Sequence, residues 1–176
     1  WLSPSSKVLI LDPTYGEYSH ILNQVIKCKV EYFKLRREDG YKININKLCE
    51  KLNERFDLFI WVNPNSPTGL HIKKDEVERL LLKTNNCERI WIDETYIEYA
   101  GKDQTLEKVA EKSNNIYVCK SMSKVYALSG LRSAYLCANP KNIKPLRRIT
   151  PPWVISLPAQ IASTYALKDE IYYNKM

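Results

Sequence analysis

Six short apolar runs recur along the 176-residue chain: K-V-L-I-L-D (7–12), K-V-E-Y-F-K-L (29–35), F-D-L-F-I-W-V (56–62), R-I-W-I-D-E (89–94), N-I-Y-V-C-K (115–120) and S-A-Y-L-C-A (133–138). Rich in Val, Ile, Leu and Trp, they lack the clean apolar–polar alternation of a half-exposed sheet, as strands covered on both faces must. Amphipathic stretches at residues 17–27, 46–54, 73–85, 105–112 and 140–148 separate or follow them and are predicted helices. In the third, Asp75 and Glu78 stand in capping-box spacing ahead of Leu80 and Leu81. Another helix is read in L-P-A-Q-I-A-S-T-Y-A-L (157–167). A repeated β-then-α rhythm predicts an α/β fold, a three-layer sandwich around a mostly parallel sheet.

A 44% hydrophobic content over this length suits one domain with a real core and is too little chain for two ordinary ones. No run reaches the roughly 18 apolar residues of a membrane span. The opening W-L-S-P-S-S-K-V-L-I-L-D lacks the basic-then-apolar order of a signal peptide, so a cytoplasmic address with no membrane partner is expected. Five cysteines (Cys28, Cys49, Cys87, Cys119, Cys137) form no C-x-x-C and are odd in number; they read as reduced, mostly buried small apolar residues. His20 and His71 have no second ligand at metal spacing, and no metal is expected. The net charge of +7 is diffuse, interleaved with acids in K-K-D-E-V-E-R and L-E-K-V-A-E-K, the habit of solvated helix faces. No aromatic-basic motif accompanies it, so no nucleic-acid partner is expected.

In sheets of this type ligands bind beyond the carboxyl ends of the strands. Four such ends carry polar residues: D-P-T-Y-G (12–16), N-P-N-S-P-T-G (63–69), I-D-E-T-Y (92–96), and K-S-M-S-K (120–124) followed by G-L-R (130–132). Singly, each has an ordinary reading: Asp93 as a cap, N-P-N-S-P-T-G as a run of turn formers, Tyr15 as core, Arg132 as a surface charge. Lys124 is the least ordinary of them. Its apolar lead-in predicts an enclosed ammonium, and loss of hydration lowers a lysine's pKa.

Together and in this order the motifs resemble the large domain of the class I/II aminotransferases, the fold-type-I enzymes that use pyridoxal 5'-phosphate. The likeness is nearest to the histidinol-phosphate aminotransferase and threonine-phosphate decarboxylase branch. There the pattern runs P-T-Y, N-P-x-N-P-T-G, D-E-x-Y, S-x-S-K and G-x-R, and residues 10–140 follow nearly all of it. The resemblance implies that Lys124 forms a Schiff base with the cofactor and later carries the proton of transamination. It implies that Asp93 holds the ring nitrogen protonated; at ~4 Å and an effective dielectric of ~20 such an attraction is roughly 4 kcal/mol. Tyr96 would bond the ring 3-oxygen, Tyr15 would stack on the ring, and Ser121 and Arg132 would anchor the phosphate, with Ser123 assisting. The implied reactants are an amino acid and a 2-oxo acid, and the implied assembly is a homodimer.

One position departs from the family pattern. Asparagine usually precedes P-T-G there and contacts the ring; this chain has Ser66, with Asn65 one residue earlier, and either could supply the contact. The upstream glycine-serine loop, a partner-subunit tyrosine and the C-terminal small domain of the family have no counterpart in these residues. Residues 1–157 are therefore expected to be an N-terminally incomplete cofactor-binding core, and 158–176 the start of a helix leading to an absent small domain; the segment alone is expected to be inactive. Transamination and decarboxylation both remain open, as does a cofactor-fold domain without turnover. Two other chemistries fail on motif grounds: S-M-S-K fits a serine acyl enzyme with Ser121 as nucleophile, but S-D-N and K-T-G are missing, and R-I-W-I-D-E lacks a preceding P-loop.

Overall fold

The computed structural model describes residues 1–84, 86–173 and 175. All six predicted strands form: β1 (Lys7–Asp12), β2 (Lys29–Lys34), β3 (Leu58–Val62), β4 (Ile90–Asp93), β5 (Ile116–Ser121) and β6 (Ala134–Cys137). They make one sheet in the order β2-β1-β3-β4-β5-β6, parallel throughout except for β6, which runs antiparallel to β5. The fold is α/β with a mostly parallel sheet.

Period-two alternation assigns the sheet's two faces. Leu9, Leu11, Phe59, Trp61, Ile90, Ile92 and Val118 point to one side and bury Leu48 and Leu52 of α2 (Ile45–Leu52), Val77 and Leu80 of α3 (Lys74–Lys83) and Ala110 of α4 (Glu107–Lys112). Val8, Ile10, Leu58 and Ile60 point to the other side, a smaller cluster with Leu22, Tyr18 and Trp91. The segment covering this second side begins as α1 (Gly16–His20) and continues as a wider π-helical turn, Ile21–Ile26, that ends at Lys27 with φ 63°. Continuous apolarity therefore holds at the centre: β3 is buried at every position, while the edge strands β2 and β6 are largely half-exposed.

Side-chain caps stand at several helix starts: Asn44 accepts from Lys47 N at 3.0 Å, Asn139 caps α5 (Pro140–Ile149), and Ser156 caps α6 (Leu157–Lys168). The capping box expected at Asp75 and Glu78 is absent. Helix α3 begins two residues before a cap at Asp75 would start it, with Lys73 at the uncapped N-cap position, so Asp75 already lies within the helix and its carboxylate pairs with Arg79 at 3.0 Å. The helix is shorter than the predicted 73–85, ending at Lys83 with Thr84 extended; Asn85 falls outside the described residues, as do Asn174 and Met176 of the 158–176 segment. A short helix α7 (Glu170–Tyr173) follows α6. The five cysteines are free, but Cys87 alone among them is fully buried; the other four are half-buried. No helix among the described residues is long and apolar enough to cross a membrane.

Candidate active site

The neighbouring strands β3, β4 and β5 end at Val62, Asp93 and Ser121, and the loops that leave them enclose a cavity of about 250 Å³. Tyr15, Ser66, Asp93, Tyr96, Ser121, Lys124 and Arg132, the seven residues singled out from sequence, all line it. Ser123, Val62, Thr95 and Ser129 complete the wall. Tyr15 is 47% exposed at the mouth, at the start of α1 and away from the core.

Asp93 is the most heavily bonded of the group. Its Oδ1 accepts from the Thr95 backbone N–H at 2.9 Å and the Thr95 hydroxyl at 2.6 Å, while Oδ2 accepts from the Tyr18 hydroxyl at 2.6 Å. The indole N–H of Trp91 in turn donates to the Tyr18 oxygen at 3.0 Å. Trp91 and Asp93, two residues apart on β4, share the face that α1 covers, which is why Tyr18 reaches both. Burial, then the neighbouring Asp93 charge, push the Tyr18 phenol far above its ordinary range, so it stays a donor. The same two influences raise the Cys119 thiol, beside Asp93 in the sheet register, to about 12. That leaves it an inert thiol.

The loop after β5 carries the lysine. Leu128 N bonds back to Met122 O and Met122 N to Ser133 O, each at 3.0 Å, so Met122 and Val125 turn into the core. Lys124 between them faces out. The enclosed setting expected from its apolar neighbours is not formed: the turn sends those neighbours inward and leaves the ammonium exposed. Lys124 has no ion pair among the described residues. Ser121 and Ser123 hydroxyls lie 2.7 Å apart, and the Ser123 N–H donates to Ser121 Oγ at 3.2 Å. Arg132, exposed, holds φ at 52° and donates to Ser129 O at 3.2 Å. Ala127 has φ 55°, so two non-glycine residues in this loop occupy the left-handed region, a conformation that needs support from its surroundings.

The loop after β3 gives Asn65 and Ser66 different surroundings. Asn65, 2% exposed, is used up: its amide donates to Pro13 O at 3.0 Å and Thr68 Oγ1 at 2.9 Å, and its oxygen accepts from Thr14 Oγ1 at 3.2 Å. It ties the D-P-T loop to the N-P-N loop and does not line the 250 Å³ cavity. Ser66 does. Gly69, at φ 71°, lets the loop turn back so that its N–H reaches Asn65 O at 2.7 Å. A second, more open cavity of about 480 Å³ adjoins the first at Ser66 and Tyr96 and is lined also by Tyr99 and His71. His71 is half-buried, and burial lowers its pKa.

Sequence reasoning missed a buried ion cluster directly behind this wall. Lys120, 5% exposed, meets Glu107 at 2.9 Å, Glu98 at 3.3 Å and Glu94 at 3.7 Å. Both Glu94 oxygens are also occupied, by Thr105 Oγ1 at 2.6 Å and Leu106 N at 2.7 Å. Tyr135 donates to Glu107 at 2.7 Å and Tyr126 to Glu98 at 3.1 Å. Burial alone would lower the Lys120 pKa, but the three carboxylates outweigh it and hold it above the ordinary value. Burial raises Glu94, whereas at Glu107 burial is outweighed by Tyr135 and Lys120 and the carboxyl stays below its usual range. The available signal was the period of two: Glu94 and Lys120 follow and precede Asp93 and Ser121, so they face the opposite side.

A mostly parallel sheet flanked by helices, with these loops at its strand ends, is the large-domain architecture of the fold-type-I aminotransferases. The aminotransferase class I and II family pattern matches residues 1–176, and the chain belongs to that family, whose enzymes depend on pyridoxal phosphate. It is similar to the histidinol-phosphate aminotransferase of Methanocaldococcus jannaschii, 28% identical over 175 residues, covering 99% of this chain and 46% of the relative. Among solved structures it resembles the histidinol-phosphate aminotransferase from Clostridium acetobutylicum (TM-score 0.83, 28% identity, 97% of this chain and 50% of that one). A decarboxylase from Sulfurospirillum multivorans is similar too (TM-score 0.82, 25% identity, 97% and 51%). The chain spans about half the length of the curated relatives it matches.

Proposed function

We propose that the whole protein is a pyridoxal-phosphate-dependent aminotransferase of the histidinol-phosphate type, acting on an amino acid or amino-phosphate and a 2-oxo acid, and that this chain supplies most of the cofactor site. Residues 1–157 form the cofactor-binding core and 158–176 begin the passage to a further domain. A homodimer in the cytoplasm is the matching context. The observation that carries the reading is the 250 Å³ cavity at the ends of β3, β4 and β5, where an exposed lysine, a fixed carboxylate, two tyrosines and a serine–arginine pair converge.

The donor set fits the cofactor's three kinds of recognition. Arg132, with the Ser121 and Ser123 hydroxyls, offers charged and neutral donors to a phosphate. Asp93, fixed at both oxygens, supplies the negative charge that keeps a pyridine nitrogen protonated. Tyr15 at the mouth offers a ring face, and Tyr96 and Ser66 offer hydroxyls to the ring's oxygen. When bound, the cofactor supplies an electron sink for the substrate's α-carbon. Lys124 Nζ, exposed on the cavity wall, would hold the cofactor through its amine and, when released, would carry the proton at the substrate's α-carbon. The similarity to a decarboxylase keeps decarboxylation as the second reading.

Borohydride reduction of the whole protein with pyridoxal phosphate, followed by peptide mapping, tests the assignment. A label on Lys124 is expected; a label on another lysine, or none, overturns it. Product analysis with histidinol phosphate or threonine phosphate then separates amino transfer from carbon dioxide release.

A further inference from the structure

Asp93 has more partners than charge compensation alone requires. A carboxylate offers about four acceptor sites. Thr95 takes two at Oδ1 and Tyr18 one at Oδ2, which leaves a single open site, on Oδ2. Contacts at both oxygens stop the carboxylate rotating about its Cβ–Cγ bond. Tyr18 is itself held twice. The indole of Trp91 donates to its oxygen, and its ring packs edge-on against Tyr15 with centroids 5.9 Å apart.

We infer that Tyr18 is a positioning residue for the reaction, setting through its hydroxyl the direction in which Asp93 offers its remaining acceptor site to the cofactor ring, with Trp91 keeping that hydroxyl in place. The inference rests on the proposed function. Thr95 fixes Asp93 from its own strand end, but Tyr18 reaches it from α1, across 75 positions of sequence. That contact makes the aspartate's orientation depend on the packing of α1, the element whose first residue follows Tyr15. The ring-stacking residue and the ring-nitrogen carboxylate are thus held through one phenol. An O–H donor to an ionised carboxylate at 2.6 Å is among the stronger hydrogen bonds in proteins, so its loss should be measurable.

The test is a double-mutant cycle on the whole protein, read by cofactor affinity from fluorescence titration and by visible circular dichroism of the bound cofactor. Tyr18→Phe keeps the ring and its contact with Tyr15. It should weaken cofactor binding roughly tenfold and reduce the dichroism per bound cofactor. Trp91→Phe should move both readouts the same way by less, because the bond to Asp93 survives. In an Asp93→Asn background, Tyr18→Phe should add little, since the hydroxyl acts through the carboxylate. A Tyr18→Phe protein that binds and orients cofactor like the unsubstituted one, or losses fully additive with Asp93→Asn, would overturn this inference alone. No cofactor binding by the unsubstituted protein would overturn the proposed function and this inference with it.

Discussion

Lys120 and Lys124 stand four residues apart in K-S-M-S-K and occupy opposite surroundings. Lys120 is buried and bonded to three carboxylates on the side of the sheet that packs against α4; Lys124 is exposed on the cavity wall with no ion pair among the described residues. The same division separates neighbours elsewhere. Asp93 faces the cavity and Glu94 the ion cluster; Ser66 faces the cavity and Asn65 ties two loops together. At the end of a strand successive residues point to opposite faces, which divides Asp93 from Glu94; past the strand ends, at Ser66 and Lys124, the loop's own turns make the division. A lysine surrounded by fixed carboxylates is held charged. Lys124, without an ion pair among the described residues, is left accessible on the cavity wall.

The widest separation between the two lysines should appear on substitution. Lys124→Ala is expected to reduce turnover of the whole protein by at least about a thousandfold, while an exposed site shifts unfolding free energy by no more than about 0.5 kcal/mol. Lys120→Met should do the reverse: it leaves three carboxylates without their cation and costs about 3–5 kcal/mol of stability. Turnover and urea denaturation measured on both variants check this. Similar stability losses in the two would erase the distinction.

The acid limb sharpens the same contrast. The folded Lys120 pKa is raised above its ordinary 10.5, so its contribution is fully present below about pH 10.5 and is lost as pH rises through the folded value. Glu107 is lowered from 4.5, so its contribution is present above that and is lost as pH falls through the folded value. Glu94 is raised by burial and opposes both, a cost relieved on acidification. Without Lys120, Glu94 and Glu107 lose their cation while burial still raises both, and the folded variant takes up protons more readily than the unfolded chain. The stability gap between Lys120→Met and the unsubstituted protein should therefore narrow as pH falls from 7 toward about 5, as measured by thermal unfolding. A gap that is constant with pH would assign the loss to packing.

The six strands were legible because the core ones are apolar on both faces and their polar ends fall on recurrent motifs, while their order in the sheet was not. Lys124, Asp93 and Arg132 could be picked out as motif members with no knowledge of which loops converge. The supporting residues could not. Tyr18 reaches Asp93 only because α1 lies on the face that Trp91 shares, and Lys120 reaches Glu107 only because α4 packs on the opposite one. These contacts are tertiary. Linear neighbourhood also misled at Lys124, where flanking Met122 and Val125 suggested enclosure although the turn buries them and leaves the amine out.

The smallest effect belongs to the third pair. Asn65→Ala removes two donated bonds and one accepted bond at a buried site, and should cost about 1–3 kcal/mol of stability with the bound cofactor's spectrum unchanged. Ser66→Ala should leave stability within about 0.5 kcal/mol, since the side chain has no hydrogen bond among the described residues. If its hydroxyl donates to the ring oxygen, the loss shifts the pH midpoint of the bound cofactor's absorbance upward, and by less than about one unit. A neutral hydrogen bond contributes only about 0.5–1.5 kcal/mol, and Tyr96 still reaches the same region. Ser66→Asn, a longer donor, should move the midpoint the other way. Spectrophotometric titration of the three proteins reads the order directly. Identical midpoints would remove Ser66 from the ring contact, and because Asn65 has already committed its amide to Pro13 and Thr68, Tyr96 would be left as the donor to that oxygen.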